Sequence, residues 1–130
     1  MRYSLDTSAY SHFVRGHVEA AELIDQAAWI GVSAVVLGEL HAGFRMGNRR
    51  ADNERGLSQF LANPVVHVLS IDDDAAALYG ELVVELKQAG TPLPTNDIWI
   101  AAVSARDGAT ILTFDEHFRS IRRVGSRVLA

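Results

Sequence analysis

The chain has no cysteine, which rules out a disulfide framework and a zinc–thiolate site. It has a single lysine, Lys87, and three prolines. No apolar run approaches the ~20 residues needed to cross a bilayer as a helix. The first residues, Met1-Arg2-Tyr3-Ser4-Leu5-Asp6, lack the apolar core of a signal peptide. A cytoplasmic protein with no membrane contact is the expectation. No Gly-rich phosphate loop, no GxGxxG dinucleotide fingerprint and no Gly-x-Ser-x-Gly elbow occurs. A two-component receiver would want a lysine at the end of a late strand, and Lys87 falls inside a helical pattern.

What remains is 130 residues at 48% hydrophobic content with a formal net charge of −4. That is enough for one domain over residues 1–130 with its own core, and there is no repeat or linker. Net charge alone does not point to nucleic acid. The positive charge is nearly all arginine, a side chain suited to bidentate phosphate contacts.

Short apolar runs alternate with amphipathic ones. Tyr3–Leu5, Trp29–Val32, Val65–Leu69, Thr110–Thr113 and Arg127–Leu129 read as strands. The intervening segments read as helices, the first capped by Thr7 or Ser8 and stopping at Gly16, the second over Val18–Ala28 with Val18 turned inward. Ser33 caps a third to about Arg45; Gly38 and Gly43 within it hint at a close approach to its backbone. A fourth spans Ala51–Ala62, and Asp72 caps a long fifth that ends at Gly90. The run Asp72-Asp73-Asp74 is a cap with a negative first turn, not a metal site. A last short helix is expected from His117 to Arg123. The alternation predicts an α/β fold: three layers, α/β/α, around a mostly parallel sheet of four to five strands.

The stretch Pro94-Thr95-Asn96-Asp97-Ile98-Trp99-Ile100-Ala101-Ala102 stands out. Pro92 and Pro94 hold the preceding chain extended, and Thr95 or Asn96 is placed to cap. Beyond it the helix is apolar nearly all round, as a buried helix is, so Asp97 is the one charge at its mouth; Trp99 is read as core. Parallel sheets place sites beyond the carboxyl ends of their strands, where the strand order switches. Asp6 and Asp115 each follow a strand end, Asp97 opens the helix leading into the fourth strand, and Glu39 lies on the helix leaving the second. Four carboxylates at one end of a sheet repel. A divalent cation relieves this, and Mg²⁺ or Mn²⁺ takes such oxygen ligands. Ions there can activate a water and stabilise a leaving oxygen in phosphodiester cleavage. His12, His41, His67 and His117 show no ligand spacing; His117 alone is near enough to touch a substrate.

These residues resemble a known family. Asp6-Thr7-Ser8, Glu39 followed by Gly43, Asn96-Asp97 with its Ile-Ala-Ala tail, and Thr113-Phe114-Asp115-Glu116-His117-Phe118 look like the four motifs of PIN-domain ribonucleases, closest to the VapC toxins of bacterial toxin–antitoxin modules. The likeness covers essentially the whole chain. It implies an Mg²⁺- or Mn²⁺-dependent endoribonuclease, a homodimer and a cognate VapB-like antitoxin. It makes Asp6, Glu39, Asp97 and Asp115 the metal-binding and catalytic acids, with Ser8, Asn96 and Thr113 as supporting polar groups. The expected substrate is structured cellular RNA, a tRNA or rRNA loop, cut by metal-activated water; a DNA or junction nuclease and a pure binding module are the competing readings. Arg45, Arg49 and Arg50, with Arg119, Arg122 and Arg123 near the end, are expected to flank the cleft and hold RNA phosphates.

Overall fold

A computed structural model describes residues 1–130. The chain opens with β1 (Arg2–Leu5), α1 (Thr7–Val14) and α2 (Val18–Gln26), then runs through β2 (Trp29–Ser33), α3 (Ala34–Met46) and α4 (Arg50–Leu61). After β3 (Val66–Leu69) come the long α5 (Asp73–Gln88) and α6 (Thr95–Arg106), then β4 (Thr110–Thr113), a 3-10 helix (Glu116–Ser120) and β5 (Ser126–Val128). The five strands form one sheet in the order β3-β2-β1-β4-β5, and every pairing is parallel. Six helices flank it, as the three-layer expectation required.

The central strands are buried on both faces, which is why they read as continuous apolar runs. Leu5, Ile30, Val32, Ile111 and Leu112 are fully enclosed, each side chain contributing about 1.5–3 kcal/mol of burial. From the helices, Val36 and Leu40 of α3, Leu82 and Leu86 of α5, and Ile100 to Ala102 of α6 join the same core. Three helices stop at left-handed glycines, Gly16, Gly90 and Gly108, with φ of 88°, 72° and 63°, a backbone conformation that costs only glycine little.

The chain proceeds from β1 outward through β2 to β3, then returns to the other side of β1 as β4. The strand order therefore reverses between β1 and β4, and the crevice beyond their carboxyl ends is where such a sheet holds a ligand. Leu5 sits beside Leu112 in register, so the residues following each strand, Asp6 and the Phe114-Asp115 turn, emerge together.

Several local expectations are corrected. The cap of α1 is Asp6, whose carboxylate accepts the Ala9 N–H, rather than Thr7 or Ser8. Pro94 occupies the cap position of α6 and no side chain caps it, so Thr95 and Asn96 are already helical. Val18 is exposed; Ala20 and Ile24 form the inner side of α2. The segment after Asp115 is a single 3-10 helix that ends at Ser120, short of Arg123. Nothing in the chain lies within 4 Å of a Cβ placed at Gly38 or Gly43. The close approach occurs at Gly31 instead, where a Cβ would stand 2.6 Å from the Trp29 ring and 2.7 Å from Leu69. Trp99 is half-buried, its ring stacked on Tyr79 at 3.9 Å. Asp72 does cap α5, through the Ala75 N–H at 2.9 Å, and it also holds Arg106.

Candidate active site

Asp6 leaves β1 and is buried at 5% exposure. Its two oxygens are held from three sides: Ser8 Oγ donates to Oδ1 at 2.7 Å, the Ala9 N–H to Oδ1 at 2.9 Å, and Thr113 Oγ1 to Oδ2 at 2.5 Å. Thr113, the last residue of β4, also accepts the Asp115 N–H at 2.9 Å, and Ser8 Oγ accepts the Phe114 N–H at 3.0 Å. One polar net thus clamps the β1 carboxylate to the turn that carries Asp115. Burial pushes the Asp6 carboxyl up, and the hydrogen bonds from Thr113, Ala9 and Ser8 pull it only part of the way back.

Asp97 projects from the first turn of α6, and no donor in the protein reaches its carboxylate. Its pKa is pushed from 3.8 up to about 6, first by burial and then by the charges of Asp115, Asp6 and Glu39, with His117 pulling the other way. Three acids from three other elements therefore act on Asp97 together. Asp115 Oδ1 accepts the His117 N–H at 2.9 Å and faces His117 Nδ1 at 3.1 Å. Ligand atoms of Asp97, Asp115 and His117 lie within 4.8 Å of one another.

Glu39 stands at the edge. Thr7 Oγ1 donates to its Oε1 at 2.7 Å and Asn96 Nδ2 to its Oε2 at 3.3 Å, so α1, α3 and α6 meet on this one carboxylate. The structure accordingly puts Asp97 and Asp115 side by side, Asp6 behind them and Glu39 across Asn96. Ser8 and Thr113 lie on Asp6, and Asn96 on Glu39. One contact was missed from sequence: Thr7, read as a cap candidate and as part of the first motif, holds Glu39. His117, expected to be the one histidine near the site, does face Asp115.

None of the arginines forms an ion pair with an acid of this cluster. Arg50 donates to Glu54 at 2.7 Å, and the Glu54 carboxyl is held low by Arg50 foremost, with smaller help from His41 and Arg45. Arg49 is exposed and unpaired at the start of α4. Arg123 pairs with Glu85 at 3.3 Å and Glu81 at 3.6 Å, and Arg119 with Glu116 at 3.6 Å. The basic side chain that acts on Asp97 is His117.

The donor set suits a hard divalent ion. Asp97 and one oxygen of Asp115 have no protein partner, and the like charges around them raise the cost of leaving the pocket without a counter-ion. No helix is long and apolar enough to cross a membrane.

Residues 3–124 match the family model of the PIN domain. Ribonuclease VapC2 of Rickettsia felis is 27% identical, over 99% of this chain and 96% of that protein. Ribonuclease VapC4 of Mycobacterium tuberculosis is 34% identical over 70% of each chain. Among solved structures, VapBC2 from Rickettsia felis, bound to a DNA fragment from its promoter, superposes with a TM-score of 0.89 at 25% identity and full coverage of both chains.

Proposed function

The chain belongs to the PIN-domain family, and within it to the VapC group; from that premise we propose that it is a divalent-cation-dependent endoribonuclease, the toxin of a toxin–antitoxin pair. The observation that carries this reading is the pocket at the β1/β4 switch point. There Asp97, free of internal partners, is pushed up to about 6 by burial and by Asp115, Asp6 and Glu39.

Asp97 and Asp115 offer the unpartnered oxygens that would hold Mg²⁺ or Mn²⁺. Asp6 adds charge from behind, its two oxygens fixed by Ser8, Ala9 and Thr113; a carboxylate has about four acceptor positions, so one is still available. A bound ion supplies Lewis acidity: it lowers the pKa of a water and stabilises the leaving oxygen of a phosphodiester. Glu39, gripped by Thr7 and Asn96, presents its remaining lone pairs to an attacking water or a ribose hydroxyl. The clamp of Thr113 on both Asp6 and the Asp115 backbone keeps the two strand-end acids at a constant separation, the positioning on which such catalysis depends.

RNA as substrate is supported by the ribonuclease names of both curated relatives. Looped or single-stranded RNA suits the site, because its bases can be splayed out; transfer RNA and ribosomal RNA loops are the two candidate classes, both met in the cytoplasm. A VapB-like antitoxin as partner is supported by the VapBC complex that this fold matches, and a homodimer accompanies that assembly in this reading. Arg45, Arg49 and Arg50 form an exposed basic group at the α3–α4 junction, available for RNA phosphates.

The test is to map cellular RNA ends after brief expression, with Asp97→Asn as control. Cuts at few sites, carrying 5′-phosphate and 3′-hydroxyl ends and absent with Asp97→Asn, are expected. Equal cutting by the Asn variant, or 2′,3′-cyclic phosphate ends, would overturn the reading.

A further inference from the structure

His117 lies in the fourth motif but is not one of its acids, and the fold turns it towards the acidic pocket. Asp115 starts the 3-10 helix by accepting the His117 N–H at 2.9 Å. That tight turn swings the imidazole back over the same carboxylate, with Nδ1 at 3.1 Å from Oδ1. The side chain is 68% exposed, and no other protein group binds its ring nitrogens. One ring nitrogen, one Asp97 oxygen and one Asp115 oxygen lie within 4.8 Å of one another. Two atoms bound to one ion at about 2.1 Å can be at most about 4.2 Å apart. Neighbouring ligands on an octahedral ion stand about 3 Å apart, so side-chain adjustments on the order of an ångström close the set.

We propose that His117 is a nitrogen ligand of this cation site and tilts its preference from Mg²⁺ towards Mn²⁺. The reason lies in the donor. Mg²⁺ takes hard oxygen ligands and holds its waters; an imidazole nitrogen suits transition ions, and Mn²⁺ is the member of that series that carboxylates also suit. A site of two carboxylates alone would not separate the two ions in this way. The inference rests on the cation-dependent reading above, so its test is built to tell the two apart.

The 130-residue chain, stripped by chelation, is titrated with Mn²⁺ and with Mg²⁺ by calorimetry, as wild type, His117→Gln and Asp97→Asn. The Mn²⁺ complex of the wild type is also examined by pulsed electron paramagnetic resonance for coupling to a directly bonded ¹⁴N. The expected result is a ¹⁴N coupling in the wild type that His117→Gln abolishes, with Mn²⁺ affinity falling on the order of tenfold and Mg²⁺ affinity nearly unchanged. Mn²⁺ bound with no nitrogen coupling, or a Mn²⁺/Mg²⁺ ratio that His117→Gln leaves intact, overturns the role of His117 while the carboxylate site stands. Failure of the wild type to bind either ion, or binding by Asp97→Asn as tight as by wild type, overturns the cation site itself. The wild-type spectrum needs no variant, and unchanged apo melting of His117→Gln verifies its fold.

Discussion

Replacing Asp97 with Asn should make the metal-free protein more stable at neutral pH. The carboxyl is pushed from 3.8 to about 6, so the folded state binds this proton more tightly than the unfolded chain does. Stability then falls as pH rises from about 4 through about 6, and the loss is complete above that window. Taken at full weight the shift is worth roughly 3 kcal/mol. The side chain is only half-buried, and solvent screening brings this to about 1–2 kcal/mol. Against it stands the favourable placement of a negative charge in the first turn of α6, about 0.3–1 kcal/mol. The net gain for Asn is about 1 kcal/mol at pH 7 and near zero at pH 4, a rise of roughly 3–5 °C in melting temperature for a chain of this size. Melting curves from pH 4 to 8 in chelator, wild type against Asp97→Asn, read it directly. Adding Mg²⁺ or Mn²⁺ at 100 times its dissociation constant should then stabilise the wild type by about 2.7 kcal/mol and the Asn protein far less. Two curves that stay parallel across the window, or an Asn protein that melts lower at pH 7, would refute the idea that Asp97 sits in mutual repulsion with Asp115, Asp6 and Glu39.

Thr113→Val removes the hydroxyl that donates to Asp6 at 2.5 Å and accepts from the Asp115 N–H; it should cost about 1–3 kcal/mol by denaturant unfolding and lower RNA cleavage with it. Gly31→Ala forces a methyl against Trp29 and Leu69 and should destabilise by about 1–3 kcal/mol, visible as a lower denaturation midpoint with an unchanged slope. Arg49→Ala with Arg50→Ala should weaken RNA binding and flatten its salt dependence by up to about two phosphate contacts; an unchanged affinity and slope in a salt titration would remove these arginines from the RNA surface.

The architecture was legible because each local signal agreed with the next. Buried strands read as apolar runs, glycines stopped α1, α5 and α6 at φ values that suit them, and acids stood at the ends of β1 and β4. Placing the acids followed from the sheet rule, since a parallel sheet brings its strand ends to one rim. What could not be read depended on partners far away in sequence. Asp6, Thr7 and Ser8 are all competent caps; the choice of Asp6 is settled by Thr113, 107 residues on, which draws the carboxylate to the end of β4. Thr7 grips Glu39 across 32 residues, and Asn96 does so across 57. The helical pattern after Asp115 shortened to a 3-10 turn because Asp115 caps it at His117, and that turn also carries His117 into the pocket. Arg123 could not be placed from sequence, because Glu81 and Glu85 of α5, distant in the chain, hold it; the Arg50–Glu54 pair is local to α4.

Cleavage of a labelled RNA by the chelator-stripped protein, with and without added Mg²⁺ or Mn²⁺, bears most directly on the pocket at the β1/β4 switch point. Cutting that begins only when the ion is restored, and that Asp97→Asn does not recover, is the predicted result. Cutting at full rate in chelator would contradict it.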